Sequence, residues 1–424
     1  MRRKATSRSG GVSVQMLVLL VPTLLLMMGF AIDLGRMYLI RAELKQATNA
    51  MALAAATRLI GNDAALDEAS AAIERARGNS GNIGNKFNFA GSQVGNGDGF
   101  LVSQVESPAF FTNAAGAIGE GDNGGNSGDG AGTNSKYVRV SATAEAPLTF
   151  FALLSLGQER KTTIAATSVA GQSAPVCQAC GIENFAIPAL DTGETANFGY
   201  TVGSRYTFAC NCNGNPGPGL LADTDAVIRY QILNRQNDSA LVFTDTQQQT
   251  FRIGLDGLPA DSSAAVSCLT IGASEDTWVG AEPIACNQNR TPVLVQTTLC
   301  GLASRFDPNS LNGCDNITDI GTLTTLRPPD TDLTDLTDFA SYTGNGRRII
   351  TVAVVETLVP QGMTILGFRQ FLVDPLLSGT TINPLEPSGR FPVVYLGATA
   401  PVRQGRFDGN CGVTSGPGKV VLYR

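Results

Sequence analysis

The stretch that most constrains this chain is Val12–Ile32. It is 21 residues without a formal charge, and its polar members are Ser13, Gln15 and Thr23. A helix of about 20 apolar residues spans the hydrocarbon core of a bilayer. Pro22 sits mid-run, where a membrane helix tolerates it if neighbouring groups satisfy the freed carbonyl. Arg2, Arg3, Lys4 and Arg8 precede the run and no acid appears before Asp33. The positive-inside rule therefore predicts a short cytoplasmic N-terminus (1–11) and export of the chain beyond Ile32. The run exceeds the roughly 7–15 residues of a cleaved signal's apolar region, and no A-x-A site occurs before Asp33.

The helical pattern continues past the membrane-length run. Met37, Ile40, Leu44, Ala47, Met51 and Ala54 recur at alternating steps of three and four, the spacing of one helix face. Arg41, Lys45 and Asn49 lie on a different face. No Pro or Gly interrupts Arg36–Ile60, so the periodicity predicts one helix from Val12 to Arg58, about 70 Å long at 1.5 Å per residue.

Gly10 with Gln15 five residues on, followed by VLLVPTLLLMMGFAIDLGRMYLIRAELKQATNAMALAAA, resembles the N-terminus of TadE/TadG-like pilus-assembly proteins of the tight-adherence (Flp pilus) system. Pro22, Asp33, Gly35, Arg36, Gln46, Ala47, Ala50 and Leu53–Ala56 match that family's pattern in place. Two residues depart from it: Gln15 stands where the family has Glu, and Met16 where it has Phe. The resemblance implies a single-pass protein of the bacterial inner membrane, its N-terminus cytoplasmic and its bulk periplasmic or extracellular. The implied partners are the membrane and other pilin-like or Tad secretion components. It also makes Gly10 and Gln15 the residues to watch for processing and assembly.

Composition narrows the chemistry. The chain holds 424 residues, 43% of them hydrophobic, with a net charge of −6. That is enough for two or three domains with proper cores, and it carries no basic patch for nucleic acid. There is no histidine, which removes Ser-His-Asp and Cys-His catalysis and His-ligated zinc. All nine cysteines (Cys177, Cys180, Cys210, Cys212, Cys268, Cys286, Cys300, Cys314 and Cys411) lie in the part expected to be exported. In an oxidising compartment such a set is expected to form structural disulfides, with one thiol left over and a connectivity that sequence does not give.

Along the remaining chain, Asn62–Arg77 reads as a second helix, with Asp63 as N-cap and Gly78 as the stop. Phe100–Val105 and Pro108–Phe111 are apolar clusters within a Gly- and Asn-rich stretch. Gly116–Asn134 reads as a flexible surface loop; Gly124, Gly125, Gly128 and Asp129 give only one irregular copy of a calcium-binding turn. Lys136–Pro147 alternates as a half-buried strand, Leu148–Leu156 reads as a short helix and Thr162–Ala170 as another strand. This order again resembles the small TadG-like α+β domain. Beyond a linker at Gln172–Pro175, strands are expected over Arg205–Ala209, Ala226–Leu233, Gln249–Ile253, Pro292–Thr298, Ile349–Glu356, Thr364–Val373, Phe391–Leu396 and Lys419–Tyr423, the last pairing into a sheet. Asp332, Asp335 and Asp338 lack calcium-loop spacing and read as a solvated linker or helix start.

The expected class is therefore α+β. A transmembrane and amphipathic helix (12–60) leads into a small pseudopilin-like α+β domain (61–171). A Cys-rich mainly β region (172–340) and a C-terminal β region (341–424) complete the chain. Cys177-Gln-Ala-Cys180 is the one Cys-x-x-Cys, and its Pro-Val and Gly flanks indicate a structural bridge rather than thiol exchange. Cys210 and Cys212 are too close to bond each other easily and are each expected to find a distant partner. Four thiolates from the two pairs would be needed for zinc, which an oxidising setting disfavours. No Asp-x-Ser-x-Ser metal motif is present, and Gly95, Gly97 and Gly99 follow no strand. The chain is thus read as a non-enzymatic pilus-biogenesis factor acting through its N-terminal helix, without metal or cofactor. The alternatives are an exported adhesion module displayed by an anchor and a tethered thiol oxidoreductase using Cys177 and Cys180.

Overall fold

The computed structural model describes residues 10–77, 103–119, 132–148, 161–213, 225–233, 268–272, 278–279, 284–285, 293–306, 329–334, 338–359, 362–374, 382–407 and 411–423. Helix α1 (Gly10–Ala56) is continuous through Pro22, as the uninterrupted pattern requires. Thr23 Oγ1 donates to the Leu19 carbonyl at 2.7 Å, next to the turn where the proline lacks its own donor. Helix α2 (Ala65–Arg77) opens with Asp67 and Glu68 and closes with Arg75 and Arg77, charges that suit its dipole.

The second half of α1 lies on an antiparallel sheet. Its members are β1 (Ser103–Val105), β2 (Ala109–Phe111), β3 (Tyr137–Pro147), β4 (Lys161–Gln172) and β17 (Val420–Leu422), in the order β1-β3-β4-β17 with β2 also on β3. Ile40, Leu44, Met51, Ala52, Ala55 and Ala56 are buried, packing on alternate β3 and β4 residues such as Val138, Val140 and Ala170. Lys45 and Asn49, assigned by periodicity to another face, still reach this sheet. Lys45 Nζ donates to the Thr167 carbonyl, and Ser168 Oγ donates to Asn49 Oδ1 at 2.7 Å. Long polar side chains flanking an apolar stripe can bridge to the strand beneath it.

Two local expectations are corrected here. Gly116–Ile118, read as loop, belongs to α3 (Ala114–Ile118), capped by Asn113 Oδ1, which accepts from Gly116 N at 2.7 Å. Arg139, on the polar side of the β3 alternation, is buried because its guanidinium donates to the carbonyls of Gly116, Ala117 and Gly119 at the end of α3. The helix expected over Leu148–Leu156 and the strand over Gln249–Ile253 fall on residues 149–160 and 234–267, outside the described set.

After β4 come β5 (Gln178–Cys180), β6 (Phe185–Pro188), β7 (Arg205–Cys210), β8 (Cys212–Asn213) and β9 (Ala226–Ile232). Next are β10 (Cys268–Thr270), β11 (Trp278–Val279), β12 (Ile284–Ala285) and helix α4 (Val293–Ala303). β13 (Ile349–Val355), β14 (Met363–Val373), β15 (Phe391–Gly397) and β16 (Gln404–Arg406) complete the order before β17. One sheet runs β11-β14-β13-β6-β9-β7-β15, and β15 pairs back onto β14. All but β11 thus close into a barrel, which removes free edges. The boundary read from sequence at 340/341 passes between strands of this one sheet.

The barrel interior is aromatic. Phe185, Phe208, Tyr230, Phe371, Phe391 and Tyr395 pack with ring centroids 4.9–6.1 Å apart. Alternate residues face outward: Ala353, Val355 and Phe368 cover a three-stranded sheet of β10, β5 and β16. The strand expected over Pro292–Thr298 is instead the start of α4. Val295, Leu299 and Leu302 sit at helical spacing and fill the same interior cluster, so helical burial overrides the β-branched composition.

Asp332 is likewise not in a solvated linker. Burial on its own would raise its pKa, but hydrogen bonds from Thr334 Oγ1 (2.6 Å) and the Thr343 and Thr334 amides (2.8 and 3.0 Å), with Arg348 near, hold the carboxyl below its ordinary range. Asp330 beside it accepts from Tyr342 Oη at 2.6 Å and Arg348 N at 2.8 Å.

The chain returns to its starting sheet. Val420–Leu422 pairs antiparallel with Gln172–Ala170, so everything between Ser173 and Gly418 is inserted between two adjacent strands. Ser173 N donates to the Lys419 carbonyl at 2.8 Å, and Val176 N to that of Pro417 at 3.0 Å. A Cβ at Gly418 would stand 2.3 Å from the Ser173 carbonyl, so this crossing requires glycine.

Candidate functional site

The two halves of α1 differ completely in surroundings. From Val14 to Ile32 the large apolar side chains remain 43–72% exposed on every side of the helix. A soluble domain does not leave an apolar surface of this extent to water. Burial begins at Gly29 and Asp33 and becomes regular from Ile40 onward. Asp33 is 1% exposed, Arg36 is half-buried, and a side chain built at Gly35 would meet nothing within 4 Å. The Asp33-Gly35-Arg36 motif therefore stands where bare helix passes into packed helix. Gln15 is exposed, one turn inside the helix that begins at Gly10, with Pro22 two turns further on.

The cysteines form a second constellation. Cys177 is bonded to Cys411, and Cys180 to Cys268 directly opposite it on β10. The Cys-x-x-Cys thus splits between two bridges instead of closing on itself, and both bridges tie the chain near its exit from the first sheet. Cys300 is also disulfide-bonded. The side chains of Cys212, Cys286 and Cys314 lie outside the described residues.

Cys210 corrects the expectation of a distant partner. It is a free thiol facing the barrel interior beside Tyr230 and Gly389. Burial pushes its pKa up to about 12, against the opposing pull of Arg229. The thiolate is the reactive form, so native protein at pH 8 should resist alkylation at Cys210 and react there only after unfolding. Peptide mapping after iodoacetamide treatment, with and without denaturant, reads this directly; rapid labelling of the native protein would contradict it. Among the described residues, no group of three or more Cys, Asp or Glu is placed to hold a metal ion.

The described residues thus contain one helix long and apolar enough to cross a membrane, followed by an α+β structure with disulfides in its C-terminal β part. Residues 10–58 match the TadE/G-like Flp pilus-assembly family, the stretch that forms α1 and its last turn. That match supports a role in pilus biogenesis. No curated protein and no solved structure matches the chain.

The sequence pattern marked α1 and its motif residues. It carried no sign that Lys45, Thr48 and Asn49 fasten the helix to β4, because polar residues beside an apolar stripe look the same whether they meet water or a strand. Thr48 Oγ1 and Ser168 Oγ lie 2.7 Å apart in that contact.

Proposed function

We propose that this protein is a membrane-anchored, non-enzymatic pseudopilin or assembly factor of the Flp pilus, acting through α1. The observation that carries this reading is the division of α1: an all-round apolar half beside a half that grips its own sheet. The apolar half sits in lipid or against neighbouring pilin-like helices, where the open backbone at Gly35 permits close approach. The basic N-terminus stays cytoplasmic, and the two β-rich parts are exported from the inner membrane. Domain limits at 12–60 and 61–171 are part of this proposal, with the barrel strands of 172–340 and 341–424 taken as one unit. Protease added to intact spheroplasts should degrade the exported part, and a protected C-terminus would overturn this topology.

The resembling family is cut after the glycine, and the glutamate five residues on is thought to neutralise the new amine of a neighbour inside the membrane. Gln15 offers hydrogen bonds but no counter-charge, and an unpaired charge in lipid is costly. The protein therefore stays unprocessed and anchored. Mass spectrometry of the native N-terminus should find the intact start, and a species beginning at Gly11 would overturn retention. If the start is intact, Gln15→Glu tests whether charge alone restores cleavage.

A further inference from the structure

The bare surface of α1 does not stop at Ile32. Tyr38 and Leu39, a little further on, are 66% and 52% exposed and face away from the sheet. On the opposite side, Met37 and Ile40 pack with Ala144 and Ala146 near the end of β3. β3 runs down α1 from Met51 and Ala55, where Val138 and Val140 pack, so the end of the sheet lies level with Tyr38. The exposed Lys161–Glu145 ion pair, 2.8 Å long, stands at that same rim. Beyond Leu39 the exposed outward residues of α1 include Arg41, Ala42, Gln46 and Ala50, none of them large and apolar.

Depth accounts for this limit. Val12–Ile32 matches a hydrocarbon core of about 30 Å, and the headgroups add about 5–7 Å on each side. The Tyr38 backbone stands about 9 Å beyond Ile32 at 1.5 Å per residue, and long helical side chains lean back toward the N-terminus, which returns the ring to headgroup level. Tyrosine suits that zone, with an apolar ring and a polar tip, and Arg41 has the length to reach back to the phosphates. A protein partner lying along the helix would need large apolar residues to continue up the outward face, and they end at one level. We propose that the rim formed by Tyr38, Leu39 and Arg41 rests on the phospholipid headgroups and seats the α+β domain directly against the bilayer. This rests on the reading that the bare half of α1 spans the membrane.

The test uses the full chain in vesicles of phosphatidylethanolamine and phosphatidylglycerol, with lipids spin-labelled either at the headgroup or deep in the acyl chain. Tryptophan is introduced singly by Leu24→Trp, Tyr38→Trp, Leu39→Trp or Gln46→Trp, all at exposed positions, and the signal of native Trp278 is measured in the parent and subtracted. The deep label should quench Leu24→Trp. The headgroup label should remove most of the added fluorescence of Tyr38→Trp and Leu39→Trp, and little of that of Gln46→Trp. Quenching of Leu24→Trp without quenching at 38 and 39 would overturn the seating and leave the anchor standing. No quenching of Leu24→Trp would overturn the anchor, and the seating with it. A blue shift at 38 and 39 without lipid quenching would mean that protein covers this face and would overturn the proposal. So would equal quenching at 46, which places the boundary elsewhere.

Discussion

Arg348→Met should destabilise the barrel by about 3–5 kcal/mol, the usual cost of breaking a buried ion pair from one side. Arg348 is fully buried, and so is Asp374, whose Oδ1 lies 3.6 Å from its Nη2. Its Nε donates to the Val373 carbonyl at 2.9 Å, and Nη1 to those of Asp332 and Thr334 at 2.9 and 3.2 Å. The guanidinium also stands over the rings of Phe306 and Tyr342, 5.4 and 5.9 Å from their centroids. Methionine fills the space but satisfies none of these acceptors. Arg205, 2.8 Å from Asp374 Oδ2, keeps the carboxylate partly compensated and places the loss at the lower end of the range. Urea unfolding followed by tyrosine fluorescence measures the shift. A loss below about 1 kcal/mol would mean that water replaces the guanidinium and that the network contributes little.

Cys177→Ser with Cys411→Ser should cost about 2–5 kcal/mol, as removal of native bridges commonly does. The bridge spans 234 residues of sequence, yet the β4–β17 pairing already holds its ends together. The chain-entropy gain from the disulfide is therefore smaller than so long a loop suggests, and the effect should be local. Amide exchange at Val420–Leu422 should accelerate more than exchange within β13 or β14. Equal acceleration everywhere would show that the bridge supports the whole insert, and no change at Val420–Leu422 would refute its role at the crossing. The purified double variant should show no insulin-reductase activity, like the parent.

Much of this architecture could be read from residue order. The α1 helix follows from an uncharged run joined to a three-four repeat, and β13, β14 and β15 from alternating apolar residues. What the sequence withheld depends on distant partners. Phe391 and Phe208 face each other across paired strands, but nothing local to either says that β15 and β14 close a barrel. The acids at Asp330 and Asp332 look solvated until Arg348 and Thr343 are folded against them. Cys210 resembles its bonded neighbours in composition and differs only in the direction its strand points it. At the candidate site, the membrane-length helix was legible, whereas its polar fastening to β4 was not.

The inserted barrel has a mechanical consequence. Its two connections leave the first sheet side by side, through Gln172 and Lys419, and are joined again by Cys177–Cys411. Tension on the barrel is thus divided between β4 and β17, each drawn along its own length. β4 is paired with β3 from Lys161 through Gly171, so many hydrogen bonds resist sliding together rather than opening one after another. Such an attachment transmits a pull from the barrel to α1 without first unravelling the barrel.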